Sequence, residues 1–231
     1  MMAVQNITQG LIDRLPEVRG RYSADAPLDK VTWFKAGGPA EVMFRPADAN
    51  DLKLFLSISP SDVPVTIIGV GSNLLVRDGG VPGVVIRLGR EFAVIETEGN
   101  FLKVGAGTLD INVAKTAEQA GLGGLEFLSG IPGTIGGGLR MNGGAYGSEF
   151  KDVFVSARAV DNYGVVHELV PEDMGFGYRS THGRYCSRSR GLIRRRSCWV
   201  CWNIRLFRQD SGRHFSWRRR TNVCVRFWYP N

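Results

Sequence analysis

Two glycine-rich segments carry the residue types that could bind a phosphorylated ligand. The first reads GVGSNL and places Gly69 and Gly71 ahead of Ser72, Asn73 and Leu74. A glycine turn of this kind exposes backbone N–H groups that bind phosphate oxygens, and the serine and asparagine add short donors. It is an incomplete dinucleotide fingerprint, because Leu74 stands where G-x-G-x-x-G requires glycine. A purely structural turn between two strands explains the same residues equally well.

The second segment, residues 129–147, reads SGIPGTIGGGLRMNGGAYG, and eight of the eighteen residues in 130–147 are glycine. Pro132 and Gly133 predict a loop that leads into a short helix or turn. The start of a helix after a glycine loop favours anionic groups. No G-K-S or G-K-T follows, so a mononucleotide P-loop is not indicated. The alternative is close packing of backbone against backbone.

The elements around the first segment predict a small mixed sheet. Strands are expected at residues 40–46, 63–69 and 83–88, with a helix after the first of them. Asp48 is placed to cap that helix, whose apolar face holds Leu52, Phe55 and Leu56. This β-α-β-β order ends near Gly89. Residues 3–15 predict a short amphipathic helix within an N-terminal extension, residues 1–19.

A second group of elements follows from residue 90 to residue 182. A hairpin is expected at 92–107 and strands at 152–161 and 165–170. A helix at 109–122 is capped by Gly121, and its apolar stripe comprises Ile111, Val113, Ala114, Ala117 and Ala120. The fold class is therefore α+β, with two subdomains at residues 20–89 and 90–182.

The last part of the chain, residues 183–231, has a different composition. It holds thirteen arginines, no lysine and a single acid, Asp210, whereas residues 1–182 carry a net charge of −5. All four cysteines and four of the five tryptophans also lie there. Because its apolar residues keep no period for more than a few positions, we interpret it as an aberrant tail of a frame-shifted or truncated chain.

Composition and spacing argue against several classes of protein. There is no apolar run of eighteen residues and no signal peptide, so a soluble cytoplasmic protein is expected. Cys198 and Cys201 form a C-x-x-C pair without a second ligand pair, so no metal site is expected. Arginine and tryptophan interleave in the tail, but aggregation is favoured there over nucleic-acid binding because periodicity is lacking.

Four spaced motifs together resemble one enzyme family. The segments VTWFKAGGPAEV, GVGSNLLVRD, LEFLSGIPGTIGGGLRMNGGAYG and FGYRS occur in this order. They are similar to the UDP-N-acetylenolpyruvoylglucosamine reductases, flavoenzymes of peptidoglycan synthesis. The resemblance covers about residues 20–182.

The resemblance implies a two-subdomain FAD-binding fold of the PCMH/vanillyl-alcohol-oxidase type. FAD would lie between the subdomains with its diphosphate against both glycine segments. No cysteine precedes Cys186 and no histidine precedes His167, so a non-covalent flavin is expected. The implied cofactor-binding residues are Gly69, Gly71, Ser72, Asn73 and Leu74 on one side, and Pro132, Gly133, Thr134, Gly136 and Gly137 on the other.

The resemblance also implies NADPH as hydride donor and a UDP-sugar enolpyruvyl ether as substrate. Tyr178 and Arg179 in GYRST would bind the substrate, and the always-protonated guanidinium of Arg179 suits charge that develops towards an enolate. The family's later serine motif and glutamate are missing, since no Glu follows Glu172. The family's substrate domain is thus largely missing, and impaired turnover is expected.

Two alternatives remain open at this point. One is a flavin-binding module, or another flavoprotein, that lacks this turnover. The other is nucleic-acid binding through the basic tail. The sequence leaves the oligomeric state open.

Overall fold

The first of two main sheets is mixed and four-stranded, in a computed structural model that describes residues 10–182 and 200–207. Its strands lie in the order β1-β2-β4-β3, where β1 is Arg21–Pro27, β2 Pro39–Arg45, β3 Val65–Ile68 and β4 Val81–Arg87. Strands β2 and β3 both run parallel to β4, and β1 is antiparallel to β2. The predicted mixed sheet is present, and β1 is an edge strand that sequence analysis did not find.

Helix α1, Ala49–Ile58, covers this sheet as its apolar stripe predicts. The Asp48 carboxylate accepts a hydrogen bond from the Asp51 N–H at 2.9 Å and so caps the helix. Phe55 is buried, with its ring centroid 4.6 Å from that of Phe44 in β2. Leu11 of the N-terminal extension joins the same core. Residues 10–12 are helical, and the earlier part of the predicted N-terminal helix lies outside the described residues.

The second main sheet has five strands in the order β10-β9-β13-β6-β5. Its members are β5 Ile95–Glu98, β6 Phe101–Val104, β9 Phe154–Val160, β10 Val166–Leu169 and β13 Val200–Phe207. The predicted hairpin and the predicted strand pair thus both form, and they lie on either side of β13.

Strand β13 comes from the part of the chain in which no regular element was predicted. It is antiparallel to both β9 and β6, at the centre of the sheet. Ile204 and Leu206 are buried and Arg205 is exposed, which is the alternation of a strand with one covered face. The alternation is too short to stand out among the arginines around it. The other residues of 183–231 lie outside the described part of the chain.

Short helices and hairpins connect the second sheet. They are α2 Asp110–Gln119, α3 Ile135–Arg140, α4 Phe150–Val153 and α5 Pro171–Met174, the 3₁₀ helices Arg90–Phe92 and Glu126–Gly130, and the hairpins of β7 Gly144–Ala145 with β8 Ser148–Glu149 and β11 Phe176–Gly177 with β12 Ser180–Thr181. Among the described residues, no helix combines the length and the apolar character needed to cross a membrane.

The buried face of α2 differs from the predicted stripe. Val113 and Ala117 are buried as expected, but Ile111 and Ala120 are exposed. The helix instead buries Asp110, because positions i, i+3 and i+7 share one face. The predicted cap is confirmed, since Gly121 has a φ of +67° and its N–H donates to the Glu118 carbonyl.

The two sheets share part of their core near the predicted subdomain boundary. Leu88 packs against the apolar clusters of both sheets, and Phe92 and Val160 belong to the cluster under the first. The boundary near Gly89 falls between β4 and β5 and stays a prediction.

Candidate functional site

The first glycine segment begins where strand β3 ends. Gly71 has a φ of +69°, which favours glycine, and a β-carbon there would lie 3.0 Å from the α-carbon of Thr32. Its carbonyl also accepts the Trp33 N–H at 3.2 Å. Gly71 is therefore required by the turn itself. Asn73 and Leu74 beyond it are exposed.

The second glycine segment lies directly against the first. A β-carbon on Gly69 would overlap the hydroxyl oxygen of Thr134. Thr134 is buried and forms an isolated β-bridge with Leu109. The Asp110 N–H donates to the Gly133 carbonyl at 3.2 Å. The turn after β3, the loop before α3 and the start of α2 thus meet at one place, and the predicted phosphate-binding residues are brought together.

Asp110 lies at this junction, and sequence analysis did not identify it as a site residue. It is fully buried, and neither carboxyl oxygen has a hydrogen-bond partner among the described residues. Burial raises the pKa of Asp110 to about 7. A β-carbon on Gly133 would lie 2.8 Å from its Oδ2 and 3.8 Å from the Ser72 hydroxyl. The signal that could have found it is its spacing from Val113 and Ala117, which places it on the buried face of α2.

The glycines of α3 have two different reasons for being glycine. Gly136 packs on Ala106, where a β-carbon would come within 2.8 Å, and Gly138 packs on the ring of Phe150. The alternative of close backbone packing therefore holds for these two. Gly137 is exposed, and the nearest atom to an added β-carbon is the Thr134 hydroxyl oxygen at 3.4 Å. Neither packing nor backbone conformation explains glycine at position 137.

The residues predicted to bind the substrate line a cavity of about 280 Å³. It lies between the turns of two hairpins, β7–β8 and β11–β12, and Tyr146, Tyr178 and Arg179 line it. Tyr146 and Arg179 have φ values of +54° and +51°, a conformation that non-glycine residues adopt at some cost. Both tyrosines are exposed, so the cavity is open to solvent.

A buried asparagine and an ion pair hold the wall of this cavity. Asn142 donates to Glu149 at 2.8 Å and to the Gly177 carbonyl at 3.0 Å, which joins the two hairpins. The Lys151 ammonium lies 2.9 Å from Glu149. Lys151, followed by Asn142 and the charge of Arg179, lowers the pKa of Glu149. The cavity thus sets a fixed carboxylate beside a cationic guanidinium.

Helix α3 connects the glycine junction to the cavity. Its N-cap is Thr134, and its last residue, Arg140, donates to the Thr181 carbonyl. The Thr181 hydroxyl donates in turn to the Leu139 carbonyl at 2.8 Å. Six helical residues span about 9 Å. The structure therefore places Tyr178 and Arg179 at the opposite end of this helix from the glycine junction, and none of the ten implied cofactor-binding residues lines their cavity.

Metal binding has no support in this part of the chain. The described residues contain no group of three or more His, Cys, Asp or Glu side chains that could hold a metal ion. The Cys198–Cys201 pair lies outside the residues whose side chains the structure describes.

The fold is that of a flavin-binding domain. Residues 40–169 match the family described as FAD binding domain, and the chain belongs to that family. The solved 6-hydroxy-D-nicotine oxidase of Arthrobacter nicotinovorans has the same fold, with a TM-score of 0.58 at 16% identity over 83% of this chain and 43% of that one. The predicted α+β fold of this class and FAD as cofactor are thereby confirmed.

Two relatives at higher sequence identity carry the name of one particular enzyme. The chain is 64% identical over 179 residues to the UDP-N-acetylenolpyruvoylglucosamine reductase of Parvibaculum lavamentivorans, which is 78% of this chain and 57% of that protein. The crystal structure of the corresponding reductase (MurB) from Thermus caldophilus superposes with a TM-score of 0.65 at 34% identity, over 82% of this chain and 62% of that one. The predicted resemblance is confirmed, and the chain spans less than two thirds of the length of these relatives.

Proposed function

We propose that this chain holds FAD without a covalent link across residues 69–74 and 132–137. The observation that carries the proposal is the contact between Gly69 and the Thr134 hydroxyl, which joins the two segments because position 69 has no side chain. Gly137, open and unexplained by packing, would let the cofactor's diphosphate approach the backbone. Ser72 and Asn73 stand at the same junction as further donors.

The residues present at the junction suit an anionic diphosphate. A β-carbon on Gly133 would come within 2.8 Å of the Asp110 carboxyl, and among the described residues the exposed Asn73 amide donates to the Met141 sulfur alone, at 3.2 Å, a weak acceptor. The amide can therefore turn towards a phosphate at little cost. Asn73 also connects the first segment to the end of α3, so both segments would close on one ligand.

We further propose that this protein catalyses the reaction for which the relatives above are named. UDP-N-acetylglucosamine enolpyruvate would be reduced to UDP-N-acetylmuramate with NADPH, in cytoplasmic peptidoglycan precursor synthesis. Support comes from 64% identity to a reductase of that name and from the cavity at Arg179. FAD, when bound, supplies a carrier that takes a hydride from NADPH and delivers it to the double bond.

The chain's own residues would bind and polarise the substrate in the cavity. The guanidinium of Arg179 would hold the enolpyruvyl group as negative charge develops. Tyr178, 87% exposed, would lie over the sugar nucleotide. Glu149 cannot act as the acid near neutral pH, because its ion pair with Lys151 lowers its pKa.

Turnover by this chain is therefore proposed to be slow. Hydride addition must be followed by protonation, and a positioned general acid contributes about 10²–10⁴-fold. The later serine motif of the resembling family is missing from this sequence, and Glu149 has the sole carboxyl among the residues that line the cavity. Water would supply the proton instead.

Anaerobic stopped-flow spectroscopy tests this function. NADPH should bleach the bound flavin, and the enolpyruvyl UDP-sugar should shift its absorbance while reoxidising it more slowly than oxygen does. Arg179→Gln should abolish the response to the UDP-sugar and leave flavin reduction by NADPH unchanged. The proposed reaction is contradicted if NADPH does not reduce the flavin. It is also contradicted if the UDP-sugar does not change the flavin absorbance. Rapid reoxidation with stoichiometric product contradicts the slow turnover alone.

A further inference from the structure

Asp110 differs from the other buried aspartate of the described residues. The carboxylate of Asp51 accepts backbone N–H groups from Arg19, Gly20 and Ala47 at 2.8 to 2.9 Å. Asp110 is equally buried and accepts none. Leaving a buried polar group unpaired destabilises the fold, so an orphaned carboxyl at a ligand site indicates a partner that arrives with the ligand.

The position of Asp110 identifies that partner. Its Oδ2 lies against the α-carbon of Gly133, on the side shared with the Ser72 hydroxyl. These two residues belong to opposite glycine segments, so the carboxyl stands where the segments meet. An ionised carboxyl here would repel a diphosphate, whereas a protonated one would donate a hydrogen bond to it.

We propose that Asp110 contacts the bound cofactor as a neutral carboxylic acid whose O–H donates a hydrogen bond to a diphosphate oxygen of FAD beside Gly133, so that FAD affinity falls when this carboxyl ionises. The inference rests on the proposed placement of FAD on residues 69–74 and 132–137. It adds a binding residue and a proton-linked dependence to that site.

Within the described part of the chain, the segments packed around this carboxyl present no other titratable side chain to it. Residues 69–74, 105–109 and 131–135 contain none. On its own helix Lys115 and Glu118 are exposed, and Glu126 of the adjoining 3₁₀ helix is exposed and accepts the Gly124 N–H. Burial is accordingly the cause of the raised pKa, about 7 in the free protein.

The sign of the effect follows from linkage. Below about pH 6 the carboxyl is already protonated and FAD binding takes up no proton. Above about pH 7 the free protein is ionised, and each FAD must bring a proton with it, because the diphosphate raises the pKa of the carboxyl still further. The dissociation constant should then rise by up to about tenfold for each pH unit.

Fluorescence titration of the full chain with FAD between pH 5.5 and 8.5 tests the inference. The wild-type dissociation constant should rise about tenfold from pH 6 to pH 8. In Asp110→Asn, whose amide donates at every pH, it should change by less than about twofold. Glu118→Gln on the same helix should keep the wild-type profile.

Calorimetry of the wild-type chain gives a measurement that needs no variant. Titrations at pH 8 in HEPES and in Tris, which differ in ionisation enthalpy, should show uptake of about 0.9 proton per FAD. Tight binding with a flat pH profile and no proton uptake would overturn the role of Asp110 while leaving the FAD site intact. Absence of FAD binding at every pH would overturn the proposed site and this inference with it.

Discussion

The α-carbon of Gly69 lies directly against the hydroxyl of Thr134, so the turn after β3 and the loop before α3 touch because position 69 has no side chain. Thr134 is held in place by its bridge to Leu109, and Gly69 by strand β3. Neither residue can move far without disturbing a regular element. The relative position of the two proposed halves of the cofactor site thus depends on the absence of one β-carbon.

Gly69→Ala should weaken FAD binding about tenfold or more, because its methyl group would collide with the Thr134 hydroxyl and separate the two segments. Thr134→Ala should relieve the collision, since the remaining Thr134 side-chain atoms lie 3.5 Å from the added carbon. The double variant should therefore bind FAD better than Gly69→Ala alone. Flavin fluorescence titration of the two single variants and the double variant gives the coupling.

Gly79→Ala is the matched control for this substitution. A β-carbon on Gly79 meets nothing within 4 Å, so FAD affinity should equal that of the wild type. Equal affinities of Gly69→Ala and wild type would show that the contact does not set the site.

Gly137→Ala and Gly138→Ala should behave oppositely in the absence of cofactor. Alanine at 137 is free of serious contact and improves helix propensity, so it should raise the free energy of unfolding by about 0.5–1 kcal/mol. Alanine at 138 overlaps the Phe150 ring and should lower it by about 1–3 kcal/mol. Urea unfolding of the cofactor-free variants measures both.

With cofactor present, Gly137→Ala should also raise the FAD dissociation constant, because the proposed diphosphate position lies on its α-carbon. For the other position, combining Gly138→Ala with Phe150→Leu should recover part of the stability that Gly138→Ala loses. Such recovery would show that the overlap with the Phe150 ring causes the loss. Unchanged FAD affinity in Gly137→Ala would remove Gly137 from the site.

Asp110→Asn should change how stability depends on pH. The folded pKa of about 7 lies above the usual value near 3.8, so the native wild type binds more protons than the unfolded chain between these pH values and loses stability as the pH rises. The asparagine variant lacks this dependence. From pH 4 to pH 8 the difference in unfolding free energy should shift in its favour by on the order of 4 kcal/mol. Parallel pH profiles by urea unfolding would contradict the raised pKa.

Asp51→Ala should lower the free energy of unfolding by about 3 kcal/mol, because three backbone N–H groups lose a buried acceptor. The exposed ion pair of Asp62 with Arg14 supplies the comparison. Asp62→Ala should lower the free energy of unfolding far less, because water screens an exposed ion pair. Chemical denaturation ranks the two, and similar losses in both would mean that Asp51 does not anchor the N-terminal segment.

Local patterns were enough to predict most elements of the fold. The cap at Asp48 and the apolar face of α1 follow from side-chain chemistry and helical spacing. Strand β1 was missed because its polar, alanine-containing sequence RYSADAP gains its strand conformation from pairing with β2. Strand β13 was missed because its partners β6 and β9 are far away in the chain.

The sequence predicted which glycines form the candidate site, but not which of them are glycine because they pack closely against other elements. Sequence alone cannot tell that Gly136 and Gly138 face Ala106 and Phe150, since those contacts come from other elements. The apolar pattern assigned Ile111 to the buried face of α2, but Ile111 is exposed and Asp110 is buried there instead. Asp110 is also the residue of α2 that lies beside Gly133. Aspartate is usually exposed to solvent, so a search for apolar residues does not place Asp110 on the buried face of the helix.

The most direct test of the account is FAD uptake by the purified full chain. After incubation with FAD and removal of free ligand by gel filtration, the protein should retain close to one flavin per chain, and acid precipitation should release it, since no covalent link is expected. A colourless protein that takes up no FAD would contradict the central claim.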